Sequence, residues 1–185
     1  MSNPLTRRAA LTAAAAFVAA PAVARELSTT VQRNTASFVP LRWDDHFETL
    51  AVATVVADTR SKALHWWNAD ATDYRVYPTS VPMSEELTRR GYTEVVRKKL
   101  APSWTPTANM RERNPDLPIT VEGGVPENPL GTHAMYLSWP AYLIHGTHDT
   151  RKIGRASSSG CIGLYNRQIA ELYDLCPVGT QVRLI

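Results

Sequence analysis

The sequence predicts a mainly β domain, a mixed and sandwich-like sheet, with one or two helices. Short runs rich in β-branched and aromatic residues alternate with polar turns between residues 50 and 77. A single clear amphipathic helical stripe lies near the end of the chain and precedes a last short β-type run. With 185 residues, 44% of them hydrophobic and 20% charged, the chain is long enough for one domain with a core. This composition excludes collagen, a long coiled coil and a disordered chain.

Residues 1–24 are predicted to be an export signal. The Arg7 and Arg8 pair precedes an apolar, alanine-rich run over residues 9–20, and the small residues 22–24 resemble a cleavage site. The arginine pair favours twin-arginine export, with a Sec signal or a frayed helix as alternatives. The apolar run is far shorter than the ~20 residues of a membrane span, so none is expected. Cleavage would remove two positive charges from the net +3 and leave +1, which gives no reason to expect a nucleic-acid partner.

The first part of the domain is predicted to be an antiparallel meander. Residues 25–49 show no sustained period and are interpreted as an extended arm. Residues 51–57, 63–67 and 73–77 then form three strand-like runs joined by short turns. Trp66 and Trp67 fall on the second run and are interpreted as half-buried strand aromatics, with a sugar-stacking platform as the alternative.

Residues 78–131 are predicted to be mostly irregular. They carry most of the prolines, and so long a loop inside a compact domain usually covers something. Trp104, flanked by prolines, is a candidate lid residue. Arg97, Lys98 and Lys99 are interpreted as a solvated charge run, with contact to an anionic wall polymer as the alternative.

The last part of the chain is predicted to contain three strands and a helix. Residues 134–137 and 142–144 have the composition of buried strands, and residues 181–185 that of a closing strand. Between them, Asn166 is a predicted N-cap for a helix whose apolar stripe includes Ile169 and Leu172. Pro177 ends this helix, and Cys176 on the stripe is interpreted as a structural, buried thiol.

One histidine and one cysteine form the candidate catalytic pair. His145 lies at a predicted strand end, and Cys161 follows the small residues Ser159 and Gly160. Cysteine attack needs a thiolate, which a nearby imidazole can supply by taking the proton and pairing with the anion. A tight turn before Cys161 can aim N–H groups at a carbonyl oxygen under attack. The alternatives are a buried thiol or a disulfide with Cys176.

A metal site is not predicted. His133, His145, His148 and Cys161 could be drawn as a zinc site, but His145 and His148 are three residues apart in a predicted loop. The usual helical pair of zinc ligands is four residues apart.

Ordered motifs around this pair closely resemble the L,D-transpeptidase catalytic-domain family. The family's His-Gly-Thr strand end corresponds to His145-Gly146-Thr147, and its Ser-x-Gly-Cys turn to Ser158-Ser159-Gly160-Cys161. Residues 52–58, 104–106, 128–131 and 177–182 resemble further blocks, so the likeness covers about residues 50–185. It implies a catalytic domain over that range and no metal or organic cofactor.

The resemblance also implies an activity, a partner and a compartment. Cys161 would attack the L-centre carbonyl of the third residue of a peptidoglycan tetrapeptide stem and release the terminal D-alanine. An amine would then resolve the thioester. His145 would be the base, oriented by a backbone carbonyl, and Gly146, Thr147, Ser159 and Gly160 would contact substrate or the oxyanion. Cell-wall peptidoglycan and the export signal together place the enzyme in the periplasm.

The sequence leaves the acceptor open and departs from the family at two positions. A stem amine, a free D-amino acid, a lipoprotein lysine or the N-terminus of an outer-membrane protein could each accept the acyl group. Hydrolysis by water, giving a carboxypeptidase or amidase, and a non-catalytic peptidoglycan-binding module are the alternative functions. Many relatives have His at the position of Ser159, and Arg or Asn at that of Gly163, so the donor preference of this chain is undetermined.

Overall fold

The computed structural model describes residues 33, 35 and 37–185. The predicted export signal, residues 1–24, lies outside them. The described residues form ten strands, two α-helices and three short 3-10 turns. The strands are β1 (Ala53–Asp58), β2 (Ala63–Asn68), β3 (Tyr74–Pro78), β4 (Val81–Pro82), β5 (Gly91–Leu100), β6 (His133–Leu137), β7 (Leu143–His145), β8 (Ala156–Ser158), β9 (Ile162–Gly163) and β10 (Gln181–Leu184). The helices are α1 (Ala108–Arg113) and α2 (Asn166–Leu175), and the 3-10 turns are Trp43–Asp45, Glu85–Leu87 and Thr150–Lys152.

Eight strands form one curled sheet in the order β3-β2-β1-β10-β5-β6-β7-β9, and β4 pairs with β8 separately. The predicted meander is confirmed, because β1 pairs with β2 and β2 with β3, both antiparallel. The last strand, β10, inserts parallel beside β1 and antiparallel beside β5. The predicted mainly β architecture with two helices is therefore confirmed.

Strand β5 interrupts the stretch at residues 78–131, which the sequence predicts to be mostly irregular. Its first half pairs with β10, and its second half pairs with β6, with a register shift between Val95 and Arg97. Such a bulge bends a strand and increases its twist, which lets β5 belong to both halves of the curled sheet. The sequence hides this strand because only Thr93 and Val95 of its ten residues are buried.

Two cations of the charge run on β5, Arg97 and Lys98, lie over aromatic rings. The Arg97 guanidinium lies 3.5 Å from the centre of the Tyr136 ring, and Lys98 Nζ lies 4.1 Å from that of Tyr173. Lys98 also donates a hydrogen bond to the Tyr173 carbonyl, in the last turn of α2. A cation at a helix C-terminus is stabilised by the helix dipole, so Lys98 has a structural role rather than being only a solvated charge.

The core lies between the curled sheet and α2. Its fully buried side chains come from strands in both halves of the sheet and from the predicted stripe of α2; they include Val55, Leu64, Val95, Met135, Ile144, Ile162, Ile169, Leu172 and Val182. Trp66 and Trp67 are also buried, at 3% and 4% exposure, which removes the sugar-stacking alternative. The structure describes no helix long and apolar enough to cross a membrane within residues 33, 35 and 37–185.

The described part of the predicted arm packs on the outer face of β5 and β10. The Tyr92 hydroxyl donates to the His46 carbonyl over 2.8 Å, and Arg183 donates to the same carbonyl over 3.2 Å. The Phe47 ring meets the Tyr92 ring edge-on, with 5.6 Å between their centres. These contacts hold the arm against the face of the sheet from which the side chains of Tyr92 and Arg183 project.

Candidate active site

His145 and Cys161 are brought to one cavity by the parallel pairing of β7 and β9. His145 pairs in register with Gly163, and Ile144 with Ile162. Because side chains alternate along a strand, burial of the two isoleucines in the core turns His145 toward the opposite face. That face borders a cavity of about 620 Å3, which both His145 and Cys161 line. The predicted convergence of the two residues at one site is therefore observed.

The segment between β5 and β6 forms another part of the cavity wall. Its lining side chains include Trp104, Met110, Arg113 and Leu117. Trp104 is tied to Val121 by two backbone hydrogen bonds of 2.8 Å, which hold the two ends of the wall together. Residues 101–131, here called the lid segment, thus line the cavity, and the lid role of Trp104 stays a prediction.

Asn128 holds the base of the lid segment. It is fully buried, and its Nδ2 donates to the Pro102 carbonyl over 2.7 Å and to the Glu122 carbonyl over 2.8 Å. Its Oδ1 accepts from the Leu130 amide over 2.8 Å. One amide side chain therefore satisfies three backbone groups that an irregular, buried loop would otherwise leave unpaired.

The His145 ring is held in one tautomer by its neighbour in the chain. Nδ1 is hydrogen-bonded to the Gly146 carbonyl, which can only accept, so Nδ1 carries the proton. The other nitrogen, Nε2, is consequently unprotonated and can take a proton. This pairing with a backbone carbonyl is the one that the sequence predicts. Asp149, the nearest carboxylate in the sequence, is instead paired with Arg151.

The electrostatics favour a neutral thiol and a neutral imidazole before substrate binds. Burial raises the pKa of Cys161 to about 11, an effect that a hydrogen bond from the Leu143 backbone partly offsets. Burial lowers the pKa of His145 to about 4, against the opposing effect of the Gly146 carbonyl. The thiol donates to the Ala141 carbonyl, with 3.6 Å between Sγ and the oxygen. The resting thiolate–imidazolium pair suggested by the sequence is therefore disfavoured, because both of its charges would be desolvated.

The reactivity of Cys161 should consequently rise with pH well beyond neutrality. A thiol with a pKa of about 11 is ionised to roughly one part in ten thousand at pH 7, and this fraction rises tenfold per pH unit. We expect the rate of Cys161 alkylation by iodoacetamide to increase steadily from pH 6 to pH 9. Peptide mass spectrometry would follow the label, with Cys161→Ala protein reporting the background from Cys176. A plateau near neutral pH would instead show a preformed thiolate.

The turn before Cys161 is tight and internally bonded. Gly160 has a φ of +134°, a conformation that side-chain-bearing residues rarely adopt. The Ser158 hydroxyl donates to the Cys161 carbonyl over 2.6 Å and accepts from the Gly160 amide over 3.3 Å. The Ser159 hydroxyl accepts from Arg113 of the lid segment over 2.9 Å. The predicted oxyanion roles of Ser159 and Gly160 stay predictions.

Gly146 and Thr147 make backbone and turn contacts in this structure. The Gly146 amide donates to the His133 carbonyl over 3.0 Å, within the pairing of β6 and β7. The Thr147 hydroxyl accepts from the Asp149 amide over 3.1 Å, although Thr147 also lines the cavity. Their predicted contacts with substrate or the oxyanion likewise stay predictions.

Asn166 has a different role from the predicted N-cap. Helix α2 begins at Asn166 itself, and Tyr165 occupies the N-cap position. The Asn166 Oδ1 accepts from the Thr132 amide over 3.2 Å. A Cβ placed on Gly131 or Gly146 would lie only 2.1 or 2.3 Å from this oxygen, so both positions need glycine. Asn166 therefore locks α2 against the two loops that flank β6 and β7.

The departure at Gly163 has a steric explanation. A Cβ at this position would lie 2.3 Å from Ser80 Oγ and 3.9 Å from His145 Cε1. Ser80 and Gly163 exchange two backbone hydrogen bonds of 2.8 and 3.1 Å, which fix this close approach. The Ser80 hydroxyl thus occupies the space of a larger residue at position 163 and lines the cavity itself.

Neither the zinc alternative nor the disulfide alternative finds support. Within residues 33, 35 and 37–185, no three His, Cys, Asp or Glu side chains are grouped to hold a metal ion. His133 packs edge-on against Tyr173, with 5.0 Å between ring centres. Cys161 and Cys176 are both free thiols, and Cys176 is fully buried in the core, as predicted.

Sequence reasoning missed several side chains of this cavity, and those with polar or charged groups include Ser80, Arg113 and Lys152. Ser80 and Arg113 lie 81 and 48 positions from Cys161, in segments with no sequence signal for the site. Lys152 lies between the motifs of His145 and Cys161, and a positive charge so close to both was a signal that could have identified it.

Comparisons with known proteins agree on one family. The model of the YkuD family, described as L,D-transpeptidase catalytic domain, matches residues 53–184. A Fuscovulum blasticum protein, provisionally named an L,D-transpeptidase in the ATP synthase subunits region, is 59% identical over 192 aligned positions covering 100% of both chains. The Escherichia coli K12 protein ErfK/SrfK, also provisionally named an L,D-transpeptidase, is 38% identical over 136 positions. These positions cover 71% of this chain and 43% of that protein.

Solved structures share the fold. L,D-transpeptidase 3 from Mycobacterium tuberculosis aligns with a TM-score of 0.56 and 16% identity, covering 72% of this chain and 61% of that one. An L,D-transpeptidase from Mycobacterium smegmatis aligns with a TM-score of 0.55 and 21% identity, covering 72% and 58%. The described domain of this chain therefore has the fold of these structures.

Proposed function

The chain belongs to the L,D-transpeptidase catalytic-domain family, and on this basis we propose that it is a cysteine acyltransferase acting on peptidoglycan stem peptides. Its donor is a tetrapeptide stem, its leaving group is the terminal D-alanine, and its acceptor is an amine. Residues 50–185 form the catalytic domain, which the arm at 25–49 precedes. Residues 1–24 direct export to the periplasm, where peptidoglycan lies.

In the first half of the reaction, Cys161 Sγ attacks the carbonyl carbon at the L-centre of the third stem residue. The thiol proton passes to His145 Nε2, because the Nδ1 proton is already engaged by the Gly146 carbonyl. The C–S bond forms, and the C–N bond to D-alanine breaks. His145 gives its proton to the departing amine, which leaves a thioester on Cys161.

In the second half, an acceptor amine attacks the thioester carbonyl. Its proton passes to His145, a C–N bond forms and the C–S bond breaks, after which Cys161 regains its proton. Water competes with the amine at this stage. The lid segment supports transfer over hydrolysis, since its apolar side chains Trp104 and Leu117 line the cavity that Cys161 borders and leave less room for water.

The observation that carries this proposal is the local geometry of the pair. A half-buried thiol and a histidine of defined tautomer border one cavity, and neither has a carboxylate partner among the described residues. The low pKa of His145 keeps the ring neutral near pH 7, as a general base requires. An acyl-transfer mechanism needs these groups and no metal.

Intact-protein mass spectrometry tests the proposal. After incubation of residues 25–185 with a disaccharide-tetrapeptide, we expect the protein mass to rise by the mass of the donor less that of D-alanine. Addition of an amine should remove this adduct and yield the amide product. Release of the free acid at the same rate with and without the amine would indicate hydrolysis. Absence of an adduct on fully reduced protein would contradict the proposal.

A further inference from the structure

Lys152 stands on a rigid part of the cavity wall. It ends the 3-10 turn Thr150–Lys152, whose first residue follows Asp149 in the N-cap position. The Asp149 carboxylate accepts from the Arg151 amide over 3.1 Å, and the Asp149 carbonyl accepts from the Lys152 amide over 3.2 Å. Ile153, the next residue, is fully buried. The backbone of Lys152 is therefore fixed from both sides.

The two adjacent cations of this turn have different environments. Arg151 is 74% exposed, and its guanidinium pairs with Asp149, with 2.8 Å between Nε and Oδ1. Lys152 lines the cavity together with His145 and Cys161, and its Nζ has no hydrogen-bond or ion-pair partner in the described part of the chain. The positive charge of Lys152 also lowers the pKa of His145, although less than burial does.

The other cation of the cavity lies on a different element and has a partner. Arg113 comes from the lid segment and donates to the Ser159 hydroxyl, next to the Gly160 turn. Glu127 is the one carboxylate among the residues that line the cavity. Among the lysines and arginines that line the cavity, Lys152 is therefore the one whose charged group has no partner in the described part of the chain and can meet an anionic substrate group.

The proposed chemistry places such an anion near His145. His145 must reach the nitrogen of the departing D-alanine to protonate it, and the carboxylate of D-alanine is only two bonds from that nitrogen. By microscopic reversibility, the entering amine occupies the same place before it attacks the thioester. A carboxylate next to the reacting amine would therefore meet the unpartnered ammonium group.

We propose that Lys152 binds the carboxylate adjacent to the reacting amine, on the amino acid that leaves and on the acceptor that enters. This inference rests on the function proposed above and adds the acceptor class to it. Favoured acceptors are amines with an α-carboxylate, namely free D-amino acids and the D-centre of a diaminopimelate side chain. A protein N-terminus or an internal lysine side chain has no carboxylate there and is disfavoured.

Paired substrates with and without the carboxylate test the inference. Transfer from the tetrapeptide donor to D-alanine and to D-alaninamide would be measured for wild type, Lys152→Met and Lys152→Arg. The ratio of kcat/KM for the acid to that for the amide should fall about ten- to hundredfold in Lys152→Met, the range for loss of a charged hydrogen bond. Lys152→Arg should retain most of the ratio. Comparing this ratio between variants removes the effect of the different basicities of the two amines, which is the same in every variant. It also removes any change in His145, which affects both amines alike.

Arg151→Met is the matched control, because it removes one positive charge from the same turn outside the cavity. Its ratio should equal that of the wild type. If wild type forms the acyl-enzyme but Lys152→Met keeps the wild-type ratio, the role of Lys152 is wrong while the acyltransferase function stands. If the ratio fell equally in Arg151→Met, the effect would come from the net charge of the turn, and the assignment of carboxylate binding to Lys152 would also be wrong. If wild type forms no acyl-enzyme, the proposed function fails, and this inference fails with it.

Discussion

Replacing Cys161 by alanine is expected to abolish the covalent adduct with a tetrapeptide donor and to reduce acyl transfer at least about a thousandfold. The thiol is the proposed nucleophile, and no other described cysteine borders the cavity. Cys161→Ser should also form no adduct, because a serine hydroxyl is far less acidic than a thiol, and burial at this site raises rather than lowers the pKa of the Cys161 thiol. Intact mass after donor incubation measures the adduct, and product chromatography measures transfer.

Cys176 supplies the matched control for these variants. It is fully buried, and burial raises the pKa of its thiol to about 12, so it should remain unreactive. Cys176→Ala should keep the adduct and lower the free energy of unfolding by about 1–2 kcal/mol through the small cavity that it leaves. If Cys176→Ala also abolished the adduct in folded protein, the assignment of the nucleophile to Cys161 would be wrong.

Replacing His145 by alanine is expected to lower the rate of acyl-enzyme formation by about 10²–10⁴-fold at pH 7, the usual contribution of a general base. The effect should be large because burial keeps the Cys161 thiol protonated, with a pKa of about 11. Without His145, attack depends on the small fraction of Cys161 that is ionised, so the rate of acyl-enzyme formation should rise steeply with pH. In the wild type, the rate should fall only when the pH drops toward about 4 and His145 becomes protonated.

His133→Ala is the control for this substitution. His133 lies on the neighbouring strand β6 and packs against Tyr173 rather than bordering the cavity. We expect its acylation rate and pH profile to match those of the wild type. Stopped-flow or quenched mass measurement of the adduct would give both profiles. A His145→Ala rate within threefold of wild type across pH 6–9 would remove His145 from the proton-transfer step.

Local patterns were sufficient to predict much of the fold. The meander and the strands at residues 134–137 and 142–144 are short runs rich in apolar, β-branched or aromatic residues, and the α2 stripe repeats at helical spacing. Each of these elements is present in the structure. Strand β5 has no such local pattern. It bends at a bulge to join both halves of the sheet, and Val95 is its one buried aliphatic residue. Asn166 is not the N-cap that the local sequence predicts, because its side-chain oxygen accepts a hydrogen bond from the Thr132 amide, which is distant in sequence.

The sequence by itself determined which residues form the proposed catalytic pair, because His145 and Cys161 lie in two short motifs only 16 positions apart, whose turns and strand ends are local properties. Only the tertiary structure decided their environment. The pKa directions depend on how completely the lid segment and the β7–β9 edge exclude water, which no short window encodes. The same holds for Ser80 and Lys152, since side chains from separate segments become neighbours only when the sheet curls and its edge strands pair.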